Sequence, residues 1–114
     1  MLDIKIINGT IIDGTGNPSF KADVGIKDGK IVQLNHFINA QATVTINSTD
    51  LVVAPGFIDM HTHSDLRVFK HPEEDAKLMQ GITTALLGQD GLSVAPIDDG
   101  NKALMRQRIS GLLG

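Results

Sequence analysis

Apolar and polar residues alternate through the first half of the chain. Leu2, Ile4 and Ile6 are separated by Asp3 and Lys5, the period of two that gives a strand one dry side and one wet side. Asn8-Gly9 interrupts the run and Thr10-Ile11-Ile12 resumes it, which predicts a hairpin closed by a type I′ turn. The stretch Asp13-Gly14-Thr15-Gly16-Asn17-Pro18 is turn chemistry almost throughout. Ala22, Val24 and Ile26 then share one side of a further strand, and Asp28-Gly29 leads it into Lys30-Ile31-Val32-Gln33-Leu34. That two-residue Asp-Gly loop matches the right-handed twist of paired strands. Thr43-Val44-Thr45-Ile46 and Leu51-Val52-Val53 complete a set of short strands. Such spacing predicts a small antiparallel sandwich or open sheet, which by itself carries no chemistry.

The pattern changes at Ala54-Pro55-Gly56. Phe57 to Thr62 is an apolar-rich run of the kind found in buried strands. His71-Pro72-Glu73-Glu74-Asp75 predicts a helix start, with proline at the first helical position and acids at the positive end of the dipole. Gly81 stands where a left-handed cap ends that helix. Ile82-Thr83-Thr84-Ala85-Leu86-Leu87 reads as a second strand, Gly88 to Ser93 as a loop, and Asn101 to Leu112 as another helix. Strand, crossover helix and strand make one βαβ unit with parallel strands. The fold class is therefore α/β, with a β-rich portion over residues 1–54 and a β/α portion over residues 55–114.

Composition removes several function classes. Ten Lys+Arg stand against 13 Asp+Glu, a net charge of −3 with no basic run, so there is no electrostatic footprint for nucleic acid. No apolar stretch approaches the roughly 18 residues that cross a bilayer. The alternating start does not read as a signal peptide. The chain has no cysteine, which excludes disulfides and thiolate metal sites and agrees with a cytoplasmic location. A closed eight-fold barrel takes roughly 250 residues, more than the 114 present.

The chemistry concentrates in Asp59-Met60-His61-Thr62-His63-Ser64-Asp65. On a continuous strand Asp59, His61, His63 and Asp65 would share one face. Two imidazoles two apart at the carboxyl end of a parallel strand can bind one divalent ion, with carboxylates completing its shell. A row of acids and histidines on a buried strand costs several kcal/mol unless paired or metal-bound. His71, before a proline, and His36, between β segments, read as surface residues. Gly14-Thr15-Gly16 is followed by no helix carrying Lys-Ser/Thr and is not a phosphate loop.

The string Val53-Ala54-Pro55-Gly56-Phe57-Ile58-Asp59-Met60-His61-Thr62-His63 resembles the first barrel strand of the amidohydrolase superfamily of metal-dependent hydrolases. The strands before it resemble the N-terminal part of that superfamily's accessory β-sandwich. Gln80-Gly81-Ile82-Thr83-Thr84 and Gly88-Gln89-Asp90-Gly91-Leu92-Ser93-Val94-Ala95-Pro96 are similar to the N-acyl-D-amino-acid deacylase (D-aminoacylase) branch. The resemblance implies part of a β-sandwich followed by the first two β/α units of a truncated (β/α)8 barrel. It makes His61 and His63 ligands of zinc, as one or two ions or another divalent metal. Asp90 falls where D-aminoacylases place a cysteine ligand in a Gly-Asn-Cys-Gly string. A carboxylate there either takes over the metal or is only an Asp-Gly turn residue.

The implied activity is hydrolysis of a non-peptide C–N amide bond in a small molecule, an N-acyl-D-amino acid. Arg67 is placed to reach a substrate carboxylate or to remain a surface cation. Asp65 holds a substrate amine, orients a histidine or caps a helix. The family's acid/base carboxylate and further histidine ligands come from later strands, so the resemblance implies a fragment that is inactive alone. An unclosed sheet edge also predicts self-association as a homo-oligomer. Two alternatives stand beside this reading: a cyclic amidase related to dihydroorotase or hydantoinase, and a non-catalytic β-rich binding or assembly module.

Overall fold

The computed structural model describes residues 1–68, 70–93 and 95–110. The chain divides into two compact units, Met1–Pro55 and Gly56–Gly114.

The first unit contains β1 (Leu2–Ile11), β2 (Phe20–Lys27), β3 (Lys30–Asn35), β4 (Ala42–Asn47) and β5 (Val52–Val53). They form one mixed sheet in the order β3-β2-β1-β4, with β5 also on β1. β1 pairs antiparallel with β2, and β2 with β3, while β4 and β5 both run parallel to β1. Of the expected antiparallel sandwich or open sheet, this unit shows a single sheet, and its pairing is mixed where all-antiparallel pairing was expected. Asp28 (φ 50°) and Gly29 (φ 71°) close the β2–β3 hairpin in the left-handed conformations that a type I′ turn requires.

Asn8-Gly9 does not form a hairpin. Asn8 is left-handed at φ 64°, but β1 continues through it, pairing Ile6 with Val24 before it and Gly9 with Ala22 after it. The break in register makes this a β-bulge, held by Asp23, whose Oδ1 accepts the Asn8 N–H at 3.0 Å. The other carboxylate oxygen accepts the Ile38 N–H at 3.0 Å. Residues 36–41 carry the chain from β3 to β4, and this contact anchors them. Lys5 Nζ adds bonds to the carbonyls of Ile38 (3.3 Å) and Ala40 (3.0 Å). Gly25 leaves the room they need: a Cβ there would lie 2.9 Å from Leu2 Cδ1 and 3.4 Å from Ile38 Cδ1. Asp23 and Ile38 are both buried. The crossover brings β4 back along β1 in the same direction, so β4 pairs with β1 in parallel.

Ile11, Ala22 and Val24 form the buried cluster, with Ile6, Ile26 and Val53 packed against it. Full burial of an aliphatic side chain of this size contributes about 1.5–3 kcal/mol.

The second unit places β6 (Phe57–Asp59) parallel to β7 (Ile82–Ala85), with α1 (Asp75–Leu78) between them in sequence and α2 (Lys102–Ser110) after them. The parallel pair agrees with the expected βαβ connection, and its parts are shorter than the sequence suggests. β6 stops at Asp59, where the Asp59 Oδ1 accepts the His61 N–H at 3.1 Å and bends the chain out of the strand. Asp59, His61, His63 and Asp65 therefore do not form one strand face. α1 begins at Asp75 and not near Pro72, because Glu74 is left-handed at φ 46°. Gly81 (φ 79°) ends the helical segment as expected, its N–H bonded to the Leu78 carbonyl at 2.9 Å. The expected end of the second helix at Leu112 lies outside the described residues. No helix among them is long and apolar enough to cross a membrane.

Candidate metal centre

The site is built where β6 and β7 run out. Gly56 permits the close approach of the two strands, since a Cβ on it would overlap the side chain of Thr83. Phe57 N–H bonds to the Gly81 carbonyl (2.8 Å) where the two strands begin, and Leu86 N–H bonds to the Asp59 carbonyl (2.8 Å) where they end, aligning their carboxyl ends. Beyond them, Gln89 Nε2 donates to the Met60 carbonyl at 3.1 Å and joins the two loops. Gly88 (φ 80°), Asp90 (φ 56°) and Gly91 (φ 72°) are all left-handed. Aspartate tolerates that conformation better than most side chains, and here it turns the carboxylate back over the histidines.

Asp90 Oδ2 accepts from His61 Nε2 at 3.0 Å and stands 3.5 Å from His63 Nε2. One ligating atom from each of the three residues lies within 4.8 Å of the others. The two rings meet edge to face, with centroids 5.7 Å apart and an interplanar angle of 82°. Tetrahedral zinc with nitrogen and oxygen ligands near 2.1 Å separates its donors by roughly 3.4 Å. The two nitrogen–oxygen distances bracket that figure, so the trio fits a divalent ion. Exposed ion pairs contribute little stability, and with His61 and Asp90 side chains 61% and 62% exposed stability alone does not account for the convergence. His63 is more enclosed, and its Nδ1 is buried with no hydrogen-bond partner among the described residues.

A second polar group lies behind the first. Lys77 Nζ, on α1, donates to Asp59 Oδ2 at 2.7 Å and also to Thr62 Oγ1. Thr62 Oγ1 and Ser64 Oγ are 3.1 Å apart, and Ser64 Oγ donates to Glu74 Oε2 at 2.6 Å. Asp59 is held below the usual carboxylate range, first by the Lys77 ammonium and then by the His61 backbone N–H. Lys77, Thr62 and Glu74 carry no signal in the sequence that joins them to the histidines.

The remaining site residues fall around this core. Asp65 is buried in the 3₁₀ turn Ser64–Leu66, and neither carboxylate oxygen has a hydrogen-bond partner among the described residues. Arg67 is exposed and borders, with His63 and His71, an open hollow of about 490 Å³. His36 belongs to the first unit and is exposed.

Comparison with known proteins gives a consistent set of relatives. Residues 1–57 match the family described as urease alpha-subunit, N-terminal domain. The chain is 43% identical over 95 residues to an N-acyl-D-aspartate deacylase of Alcaligenes xylosoxydans xylosoxydans, covering 83% of this chain and 19% of that protein. It superposes with a TM-score of 0.82 on an N-acyl-D-glutamate deacylase from Bordetella bronchiseptica, crystallised with zinc and a phosphonate mimic of the tetrahedral intermediate. That match is 42% identical and covers 99% of this chain and 23% of the deacylase. A D-aminoacylase with a binuclear metal centre aligns at TM-score 0.81 and 36% identity, over 100% of this chain and 23% of its own. The chain thus spans about a fifth of the length of the relatives it matches.

Proposed function

The chain belongs to the amidohydrolase family, on its N-acyl-D-amino-acid deacylase branch, and from that premise we propose that it carries part of the zinc site of such a deacylase. The observation behind this reading is the convergence of His61, His63 and Asp90 on one point at the carboxyl ends of β6 and β7. In this proposal β6, α1, β7 and α2 are the first two β/α units of a (β/α)8 barrel, over residues 55–114. Residues 1–54 are the N-terminal portion of its accessory β-sandwich.

His61 and His63 would hold the metal through Nε2, and Asp90 through the oxygen that already faces both rings. A divalent ion bound there supplies Lewis-acid polarisation of an amide carbonyl and a water of lowered pKa. Asp90 supplies a negative charge that partly neutralises the ion, as the thiolate implied by the resemblance would, but from a harder oxygen donor. Arg67, on the rim of the hollow beside His63, is placed to attract the carboxylate of an acylated amino acid. Asp65, buried directly after the histidine pair with both carboxylate oxygens unpartnered among the described residues, is left free to hold a substrate amine or to orient a histidine. The carboxylate that exchanges protons with water and leaving amine belongs to later strands of the family fold, so the chain alone is inactive.

Isothermal titration with Zn²⁺ tests the proposal. The 114-residue chain takes up the ion, H61A/H63A abolishes uptake, and D90N weakens it at least about tenfold, the scale on which even indirect ligand support acts. Uptake that survives H61A/H63A unchanged would overturn the assignment. Undiminished affinity in D90N would reduce Asp90 to a turn residue. Zinc-dependent release of an N-acyl group by the chain alone would refute its inactivity.

A further inference from the structure

His61 and Thr62 lie beyond the end of β6, and no backbone–backbone hydrogen bond holds either of them among the described residues. A metal-binding turn without ladder bonds must be fixed by side chains if its donors are to keep their spacing. The structure assigns that task to Lys77, which we propose is the positioning residue of the histidine pair. The inference rests on the reading that His61 and His63 bind metal.

Lys77 Nζ reaches residues on both sides of His61 at once, the Asp59 carboxylate and the Thr62 hydroxyl. Asp59 in turn grips the His61 N–H through its other oxygen at 3.1 Å. The backbone that carries His61 is thus bracketed by one ammonium group. The bracket continues toward His63, because Thr62 passes a hydrogen bond to Ser64 and Ser64 to Glu74 at 2.6 Å. Lys77 and Glu74 therefore hold the two ends of the turn against the segment that forms and caps α1. The Lys77 and Asp59 side chains are 20% and 25% exposed, so solvent screens this pair less than an ordinary surface ion pair. Lysine suits the position because its compact ammonium offers donors in several directions, whereas a planar guanidinium would favour a single carboxylate.

Zn²⁺ affinity, measured by competition with a chromophoric chelator, tests this in the 114-residue chain. Co²⁺ absorption, which reports the geometry of the donors, supplies a reading that a purely structural role would not change. K77M removes the charge while keeping the length of the side chain. T62V removes the hydroxyl that accepts from Lys77 and donates to Ser64, without changing shape, and decides the matter if K77M does not fold. Q80A is the control, because Gln80 Nε2 bonds only to the Ala76 carbonyl within its own segment (2.7 Å) and does not touch the turn.

We expect K77M to weaken Zn²⁺ binding about tenfold or more, the usual consequence of losing a group that orients a ligand. T62V should lose about threefold, both variants should show an altered Co²⁺ spectrum, and Q80A should stay within about twofold of the parent. If K77M and T62V bind as the parent does, the positioning role is wrong while the metal site stands. Equal losses in K77M and Q80A would reduce Lys77 to a helix-stabilising residue and overturn the proposal. If the parent chain itself fails to bind, both readings fall together.

Discussion

Replacing Gly56 by alanine would show how tightly the strand before the histidines is confined. Gly56 is not left-handed, so alanine meets no backbone strain there and would gain about 0.4–1 kcal/mol by stiffening the unfolded chain. The loss must come from overlap. The added Cβ would sit 2.6 Å from Thr83 Cβ, with Oγ1 and Cγ2 nearer still. Rotating Thr83 about χ1 moves the last two atoms but not its Cβ. The strands must therefore separate by about 0.8 Å to restore the 3.4 Å at which ordinary contact begins. That shift falls beside the 2.8 Å bond from Phe57 N–H to the Gly81 carbonyl and stretches it past useful length. Overpacking of this kind costs about 1–3 kcal/mol and a lost backbone bond about 1 kcal/mol. Less the gain in the unfolded state, G56A should be destabilised by about 2 kcal/mol. Native-state hydrogen exchange at the Phe57 and Leu86 amides should then quicken roughly 30-fold, since 1.4 kcal/mol is tenfold. In a T83G background the same substitution should be nearly neutral, giving an interaction energy of about 2 kcal/mol. Acceleration below about threefold, or an equal penalty in both backgrounds, would refute the reasoning.

Two further outcomes concern the first unit. D23A leaves the buried N–H of Ile38 and the partly buried N–H of Asn8 without acceptors, and should cost about 2–4 kcal/mol in urea unfolding. D23N keeps one amide oxygen for one of the two donors and should lose about half as much; equal losses would contradict the double contact. In the following loop, Asp13 is held below its ordinary 3.8 by the backbone N–H of Thr15 and then by the Thr15 hydroxyl. A carboxyl depressed in the folded state stabilises it fully above the unfolded value, and that contribution disappears as pH falls through the lower folded value. Carbon-13 titration should show Asp13 protonating late on acidification, with T15A moving it partway back toward the ordinary value.

The parts of the fold that could be read from sequence are those settled by a few adjacent residues. Asp28-Gly29 and Gly81 need only their own left-handed conformations, and each stands where the chain turns. Asn8-Gly9 offers the same local chemistry and leads to a different structure. A carboxylate fifteen positions away selects the bulge over the hairpin, and no local pattern records that choice. The direction of β4 is hidden for a similar reason, since the crossover leading to it is anchored by the same carboxylate, which accepts the Ile38 N–H from fifteen positions away. At the candidate metal centre, the spacing of His61 and His63 named two of the three residues that converge there. The strand parity that was to bring in Asp59 and Asp65 failed when Asp59 bent the chain. Asp90 entered only through its place in a family motif. Lys77 could not be found at all, because the topology brings it to the histidine turn from 18 positions beyond Asp59.

The three proposed donors also bear on how the second unit holds together. His61 and Asp90 are 29 positions apart, and the strands beneath them share only three paired positions. An ion gripped by both would act as a removable cross-link, closing a loop whose entropy in the unfolded chain is worth about 3–4 kcal/mol by the relation used for disulfides. That is a large share of the 5–15 kcal/mol that typically separates a folded domain from its unfolded ensemble. In a chain without a single cysteine, zinc supply would set the folded population of the second unit.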